Sequence, residues 1–299
     1  MRNPGFLISV RTVMNTSTLL KHVALVSDTQ SLDFPEVARV SAALQRQVQG
    51  HFGPTWDINA TVDAFAQLED VPIDYWPIIV RDDIDVPGAE GVHEDDNGQP
   101  FALVHYSTAW SLTASHELLE MLCDPTGNLV KAGPSPKPGQ GRVNFLVEVC
   151  DPSEAFDFGY TINGVTVSDF YTPNYFDSVK ATGVRYSWTG AITQPRQVLA
   201  GGYISWQDPI SGHWFQEVFF GPQPEFRDLG RLTATQRSIR NEIQKRTPEA
   251  RSKRRAIPNP ALTASVKESV TSSSTAKAHV IRQRIAALQK SLARNGGTK

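Results

Sequence analysis

The residues best placed to do chemistry lie in one stretch, Ser115-His116-Glu117-Leu118-Leu119-Glu120-Met121-Leu122-Cys123-Asp124-Pro125. Read as a helix, its 3.6-residue repeat stacks positions four apart on one face. His116 and Glu120 can therefore grip one cation together. Glu117 projects beside them, where a carboxylate can take a proton from a cation-bound water. Leu118, Leu119 and Leu122 occupy the other side and supply the apolar surface that buries such a helix. Asp124-Pro125 ends it, because proline cannot continue a helix.

A second acidic segment follows, Val147-Glu148-Val149-Cys150-Asp151-Pro152. Both segments stop at Asp-Pro, and one carries a histidine. This is the form of a discontinuous metal site that takes two ligands from a helix and a third from a later segment. Buried carboxylates repel one another and lose their solvation, and a cation relieves both penalties. The plainer alternative is a surface acidic patch in which His116 is satisfied by a neighbouring carboxylate.

The run His116-Glu117-x-x-Glu120 resembles the His-Glu-x-x-His zinc helix of the zincin metallopeptidases, with glutamate in the second ligand position. The expected elements ahead of it have the zincin order over roughly residues 20–180. They are a strand at 21–27, an amphipathic helix from Phe34 to about Val48, and strands at 56–65, 76–80 and 101–106. The pattern His-Glu-x-x-Glu, Asp-Pro, Glu-x-x-Asp is also similar to one in the exordium/phosphate-induced proteins of plants and in uncharacterised bacterial proteins. The resemblance implies that His116 and Glu120 are ligands, that Glu117 is the general base and that Glu148 is the third ligand. Asp151 and Asp124 compete for that last place or hold His116 in its tautomer. Zinc is the first choice for a site of one histidine and two carboxylates, with manganese and calcium as alternatives. A donor to the substrate carbonyl is also required. Tyr171 and Tyr175, in an aromatic loop at 169–177, and His105, on the strand before the helix, are the candidates.

Composition bounds the rest. The chain has 299 residues, 40% hydrophobic and 20% charged, which is ordinary globular material with room for a sizeable core. No apolar run approaches the roughly 18–20 residues of a membrane span. The first residues lack an adequate apolar region followed by a small-residue cleavage site, which gives the expectation of a cytoplasmic protein. The two cysteines, Cys123 and Cys150, each precede an Asp-Pro, and two free thiols are expected.

The net charge of −2 hides an asymmetry. Residues 1–230 hold 13 Lys+Arg against 28 Asp+Glu, and residues 231–299 hold 16 against 3. The second segment reads as a basic helix at 232–246, a cationic knot at 251–255, a flexible break at 272–274 and an amphipathic helix at 276–292. It is expected to dock on the acidic body or to recruit an anionic partner or assembly. No aromatic residue lies beyond Phe226, which argues against sequence-specific nucleic-acid reading. Between site and tail, Asn163-Gly164 marks a hairpin, and segments at 183–188, 202–206 and 213–220 read as strands. Gly88–Pro100 reads as a polar acidic turn.

The expectation is an α+β, zincin-like mixed sheet with a metal-site helix, a β-rich elaboration and a basic helical tail. Residues 1–20 form an N-terminal extension, 21–230 the metal-binding domain and 231–299 the tail. The expected function is metal-dependent peptide hydrolysis, with the peptide extended along the strand at 101–106. The alternative is a non-enzymatic binding or assembly protein whose metal site only staples two segments together.

Overall fold

The computed structural model describes residues 19–86, 88–96, 98–233 and 238–247. The N-terminal extension through residue 18 and the segments expected at 251–255, 272–274 and 276–292 lie outside the described residues.

The first sheet contains β1 (Lys21–Asp28), β2 (Ala60–Phe65), β3 (Tyr75–Arg81), β4 (Gly91–Asp96) and β5 (Gln99–His105), in the order β2-β1-β3-β5-β4. β1, β2, β3 and β5 run parallel, and β4 pairs antiparallel with β5 at the edge. A parallel sheet is covered on both faces, and β1 shows why. Its Val23 and Leu25 belong to the main core, while Ala24 and Val26 pack with Val71 on the other face. α1 (Phe34–Gln47) makes the crossover from β1 to β2. Its first turn is set by Asp33, which accepts a hydrogen bond from the Glu36 N–H, and by Pro35. Helical turns continue through Val48–Phe52 and α2 (Gly53–Trp56), so the strand expected from Trp56 begins only at Ala60.

α3 (Trp110–Cys123) carries the chemical motif beneath this sheet, with Leu118, Leu119, Met121 and Leu122 fully buried. Its register is pinned by a polar relay. The Ser115 hydroxyl donates to Gln47 Oε1 of α1 at 2.7 Å and accepts the Ser168 N–H at 2.9 Å. Gln47 in turn donates to the Ser168 carbonyl at 2.9 Å.

The second sheet is antiparallel. It joins β6 (Val130–Pro134), β7 (Arg142–Leu146), β10 (Tyr203–Gln207), β11 (His213–Val218) and β12 (Glu225–Arg231) in the order β12-β11-β10-β7-β6. A small hairpin, β8 (Tyr160–Ile162) and β9 (Val165–Val167), turns on Asn163 and Gly164, both at positive φ as its two-residue loop requires. The architecture is thus α+β with mixed sheets. α4 (Ile239–Gln244), capped by the Ser238 side chain, completes the described fold. Its Ile243 packs with Leu146, Trp214 and Leu232.

Three expectations change. The acidic stretch read as a turn contains β4, whose Val92 faces a small core with Ile79, Phe101 and Leu103 while His93 is buried on the other face. The segment at 183–188 forms only an isolated bridge between Ser187 and Tyr171. The boundary drawn after residue 230 falls inside β12, and the basic helix expected from Leu232 begins at Ile239.

Candidate metal centre

α3, β4, the turn after β7 and α4 bring their charged side chains to one point. On α3 the expected pair is in place, with His116 Nε2 3.2 Å from Glu120 Oε2. Asp151 enters from the short helical turn Asp151–Ser153, its Oδ1 3.4 Å from the same His116 nitrogen. Glu120 Oε1 accepts the Cys150 N–H at 3.1 Å, which ties the helix to the second acidic segment. Glu154, one turn beyond Asp151, offers a further carboxylate to His116 and Asp151.

Several groupings of His, Glu, Asp and Cys here have ligand atoms within 4.8 Å of one another and are able to hold a metal ion. They are His116–Glu120–Cys150, His116–Asp151–Glu154, Glu120–Glu148–Asp151 and His93–Glu117–Glu120. The first three join the two acidic segments read from the sequence. The fourth depends on His93, which no spacing motif announced. Its Nδ1 lies 3.3 Å from Glu117 Oε2, and its Nε2 lies 3.2 Å from the Asp124 carbonyl oxygen.

Arg240 is the second residue that the sequence did not single out. Delivered by α4, it is 4% exposed and sits among three carboxylates. Its Nε donates to Glu148 Oε2 at 2.7 Å, and its Nη1 donates to the His93 carbonyl at 2.6 Å. Its Nη2 donates to Glu117 Oε2 and to Glu120 Oε2, each at 3.2 Å. The other Glu148 oxygen, Oε1, is buried with no hydrogen-bond partner. A signal existed in the charge pattern, since a basic segment following an acidic body has a motive to send a cation inward. The pattern gave no means of choosing which arginine.

The charge states follow from this packing. Burial opposes a charged His116 ring, but Glu120 and Asp151 overcome it and hold its pKa well above the usual value. Burial would also raise Glu120, yet His116 and Arg240 hold it far below the carboxylate range. Glu117 is kept low against burial by Arg240 and His93. Burial and the neighbouring Glu120 push Asp151 up to about 6, and burial drives Glu148 well up despite Arg240. The cluster thus balances two cations, Arg240 and His116, against two firm anions, Glu117 and Glu120.

His116, Glu117, Asp151, Glu154 and Arg240 line a cleft of about 930 Å³, with His105, Tyr106, Tyr203, Phe156 and Phe220 on its walls. Gly91 of β4 makes room for the Glu117 side chain. A Cβ there would lie 2.6 Å from Glu117 Oε1 and 2.6 Å from the Thr113 methyl. Gly202 does the same for the Asp151 turn, where a Cβ would meet the Asp151 and Pro152 carbonyl oxygens at 2.6 and 2.7 Å.

The remaining sequence candidates fall elsewhere. Asp124 ends α3 and accepts the Leu129 N–H at 2.7 Å, so its carboxylate organises a turn. Tyr171 and Tyr175 stack on each other at 4.3 Å in the core and do not line the cleft; Tyr175 donates to the Gln197 carbonyl. Tyr203 is the tyrosine that faces the cleft with Tyr106. His105 is at the cleft wall, its Nδ1 3.5 Å from Glu90. Cys123 and Cys150 are free thiols, as expected. Among the described residues no helix is long and apolar enough to cross a membrane. No protein-family model, no curated protein and no solved structure matches the chain.

Proposed function

We propose that this protein is a metal-dependent hydrolase of zincin type, acting on peptide bonds in the cleft above α3. The observation that carries the reading is the spacing around His116. A tetrahedral ion with ligands at about 2.0–2.1 Å needs ligand-to-ligand edges of about 3.3–3.4 Å. His116 Nε2 has Glu120 Oε2 at 3.2 Å and Asp151 Oδ1 at 3.4 Å. Asp151 is thereby favoured over Glu148 as third ligand, because it is Asp151 that stands at this spacing from His116. The donor set of one imidazole and two carboxylates suits zinc first and manganese next.

When bound, such an ion supplies Lewis-acid polarisation of a carbonyl and acidifies water. The chain's own residues supply the rest. Glu117 is ionised at rest, lines the cleft and accepts the proton of the attacking water. Its orientation is held through Oε2 by Arg240 and His93. Tyr203 replaces Tyr171 and Tyr175 as the candidate donor to the developing oxyanion. A peptide cannot pair along β5, which is flanked by β3 and β4; the edge strands of this sheet are β2 and β4, and β4 is the one beside β5.

A second reading is favoured by Arg240, whose guanidinium already neutralises much of the carboxylate cluster. On that reading the site is a structural staple in a binding protein. Glu117→Gln separates the two. For an enzyme, the variant keeps its metal and loses about 10²–10⁴-fold in peptide cleavage. Wild-type protein that is metal-loaded and cleaves nothing in a peptide library favours the staple. Cleavage that survives Glu117→Gln removes the base assignment.

A further inference from the structure

Two groups of donors meet at Glu120 Oε2. One, His116 with Asp151 and Glu154, opens to the cleft. The other joins His93 and Glu117 at the same oxygen, with His93 Nδ1 3.3 Å from Glu117 Oε2 and 3.8 Å from Glu120 Oε2. These edges again bracket the roughly 3.3–3.4 Å of a tetrahedral zinc shell. Carboxylates shared between neighbouring ions are the usual way of building two-metal sites, whose ions stand about 3.5–4 Å apart.

Two further observations point to a cation at this second group. Both nitrogens of His93 face acceptors, Glu117 and the Asp124 carbonyl. A neutral ring donates to only one of them and leaves its other lone pair against an acceptor, a conflict that a bound cation or protonation of the ring relieves. Glu148, 6% exposed and grouped with Glu120 and Asp151, meets the same guanidinium and has one oxygen with no hydrogen-bond partner. What fills the place is Arg240, which reaches Glu117, Glu120, Glu148 and the His93 carbonyl with all three guanidinium nitrogens.

We propose that Arg240 is a resident cation occupying the second of two adjoining cation positions that share Glu120, so that the protein takes up one divalent ion where its donors would otherwise take two. The inference rests on the open position at His116 proposed above. Arginine suits the task because it stays charged when buried and its planar fork satisfies several carboxylates at once. A permanent guanidinium also fixes Glu117 beside the open position without the exchange that a second metal would undergo.

The test is metal stoichiometry on the full chain, by equilibrium dialysis against zinc and then manganese, with isothermal titration. Wild type is expected to saturate at about one ion, Arg240→Lys at about one, and Arg240→Met at about two. Adding His93→Ala to Arg240→Met should return the count to about one. Wild type taking up two ions in this cluster overturns the proposal, and so does a folded Arg240→Met protein that stays at one. Should Arg240→Met not fold, the wild-type and Arg240→Lys counts still decide, since a second His93-dependent ion in either overturns it. Wild type binding none while Arg240→Met binds one would remove the open position yet support Arg240 as the resident cation. None in either protein overturns both.

Discussion

Glu120 has three duties at once. Its Oε1 fixes the second acidic segment through the Cys150 N–H, and its Oε2 faces both His116 and Arg240. Replacing it by glutamine keeps the shape but leaves two buried cations short of an anion. Breaking a buried ion pair by removing one partner costs about 3–5 kcal/mol. Glu120→Gln is therefore expected to lower the unfolding free energy by about that much in denaturant titration and to lose bound metal. A fully stable Glu120→Gln protein would show that Arg240 and His116 are compensated elsewhere. At this scale the sequence was legible where chemistry obeys local spacing. His116, Glu117 and Glu120 follow from one helical repeat, and Asp151 was among the alternatives for the third ligand. His93 and Arg240 were not legible, because they come from 24 and 120 or more residues away and no periodicity relates them to α3. Tyr171 and Tyr175 were misplaced for a related reason: an aromatic loop reads the same whether it lines a cleft or fills a core.

The elements act as rigid carriers, and their contacts with the site can be tested through residues that carry no chemistry. Gly202→Ala would drive a methyl into the backbone that presents Asp151. The expected result is loss of metal affinity with α3 unchanged, read as metal content beside far-ultraviolet circular dichroism. Metal affinity equal to wild type would show that the Asp151 turn yields without consequence. β11 offers a pH prediction independent of the site. Burial in the second sheet pushes Glu217 up to about 7. The folded state then holds a proton that the unfolded state has released, so stability declines as pH rises from the ordinary glutamate range through about 7. Glu217→Gln should flatten this slope in thermal melts from pH 5 to 8 and raise the melting temperature at pH 8. An unchanged slope would place the titration elsewhere. Elements were legible in the sequence where burial is two-sided or strictly periodic, as in β1, α1, β3, β5 and α3. The Asn163-Gly164 hairpin was legible from its turn chemistry. β4 was hidden because its sequence, Gly-Val-His-Glu-Asp-Asp, is that of an edge strand with few apolar residues.

At the scale of the whole molecule the question is where the acidic body ends and the basic segment begins its own work. The described fold reaches Thr247, which is fully buried and exchanges hydrogen bonds with Gln216 of β11. α4 is further fixed by the Arg240 N–H to the Gly127 carbonyl and by Ile243 in the cluster with Trp214. Residues 238–247 therefore belong to the body, although their charge assigned them to the tail. The remaining positive charge of the basic segment, 11 Lys+Arg in residues 251–299, lies outside the described residues. Two truncations separate these roles. Deleting 248–299 is expected to preserve the melting temperature and metal content, because every site residue and the Gln216–Thr247 contact are retained. Deleting 238–299 removes Arg240 and Ile243 together and should lower stability steeply while leaving Glu117, Glu120 and Glu148 to repel one another. The shorter deletion should also abolish salt-sensitive association with an anionic surface, since charge attraction is screened over about 10 Å at 0.1 M salt. Binding to anionic vesicles or generic DNA at 0.05 and 0.3 M salt would measure it. Binding that is equally strong with and without residues 248–299 would show that the basic segment recruits nothing. A chain ending at 247 that fails to fold would instead assign residues 248–299 a structural role against the body.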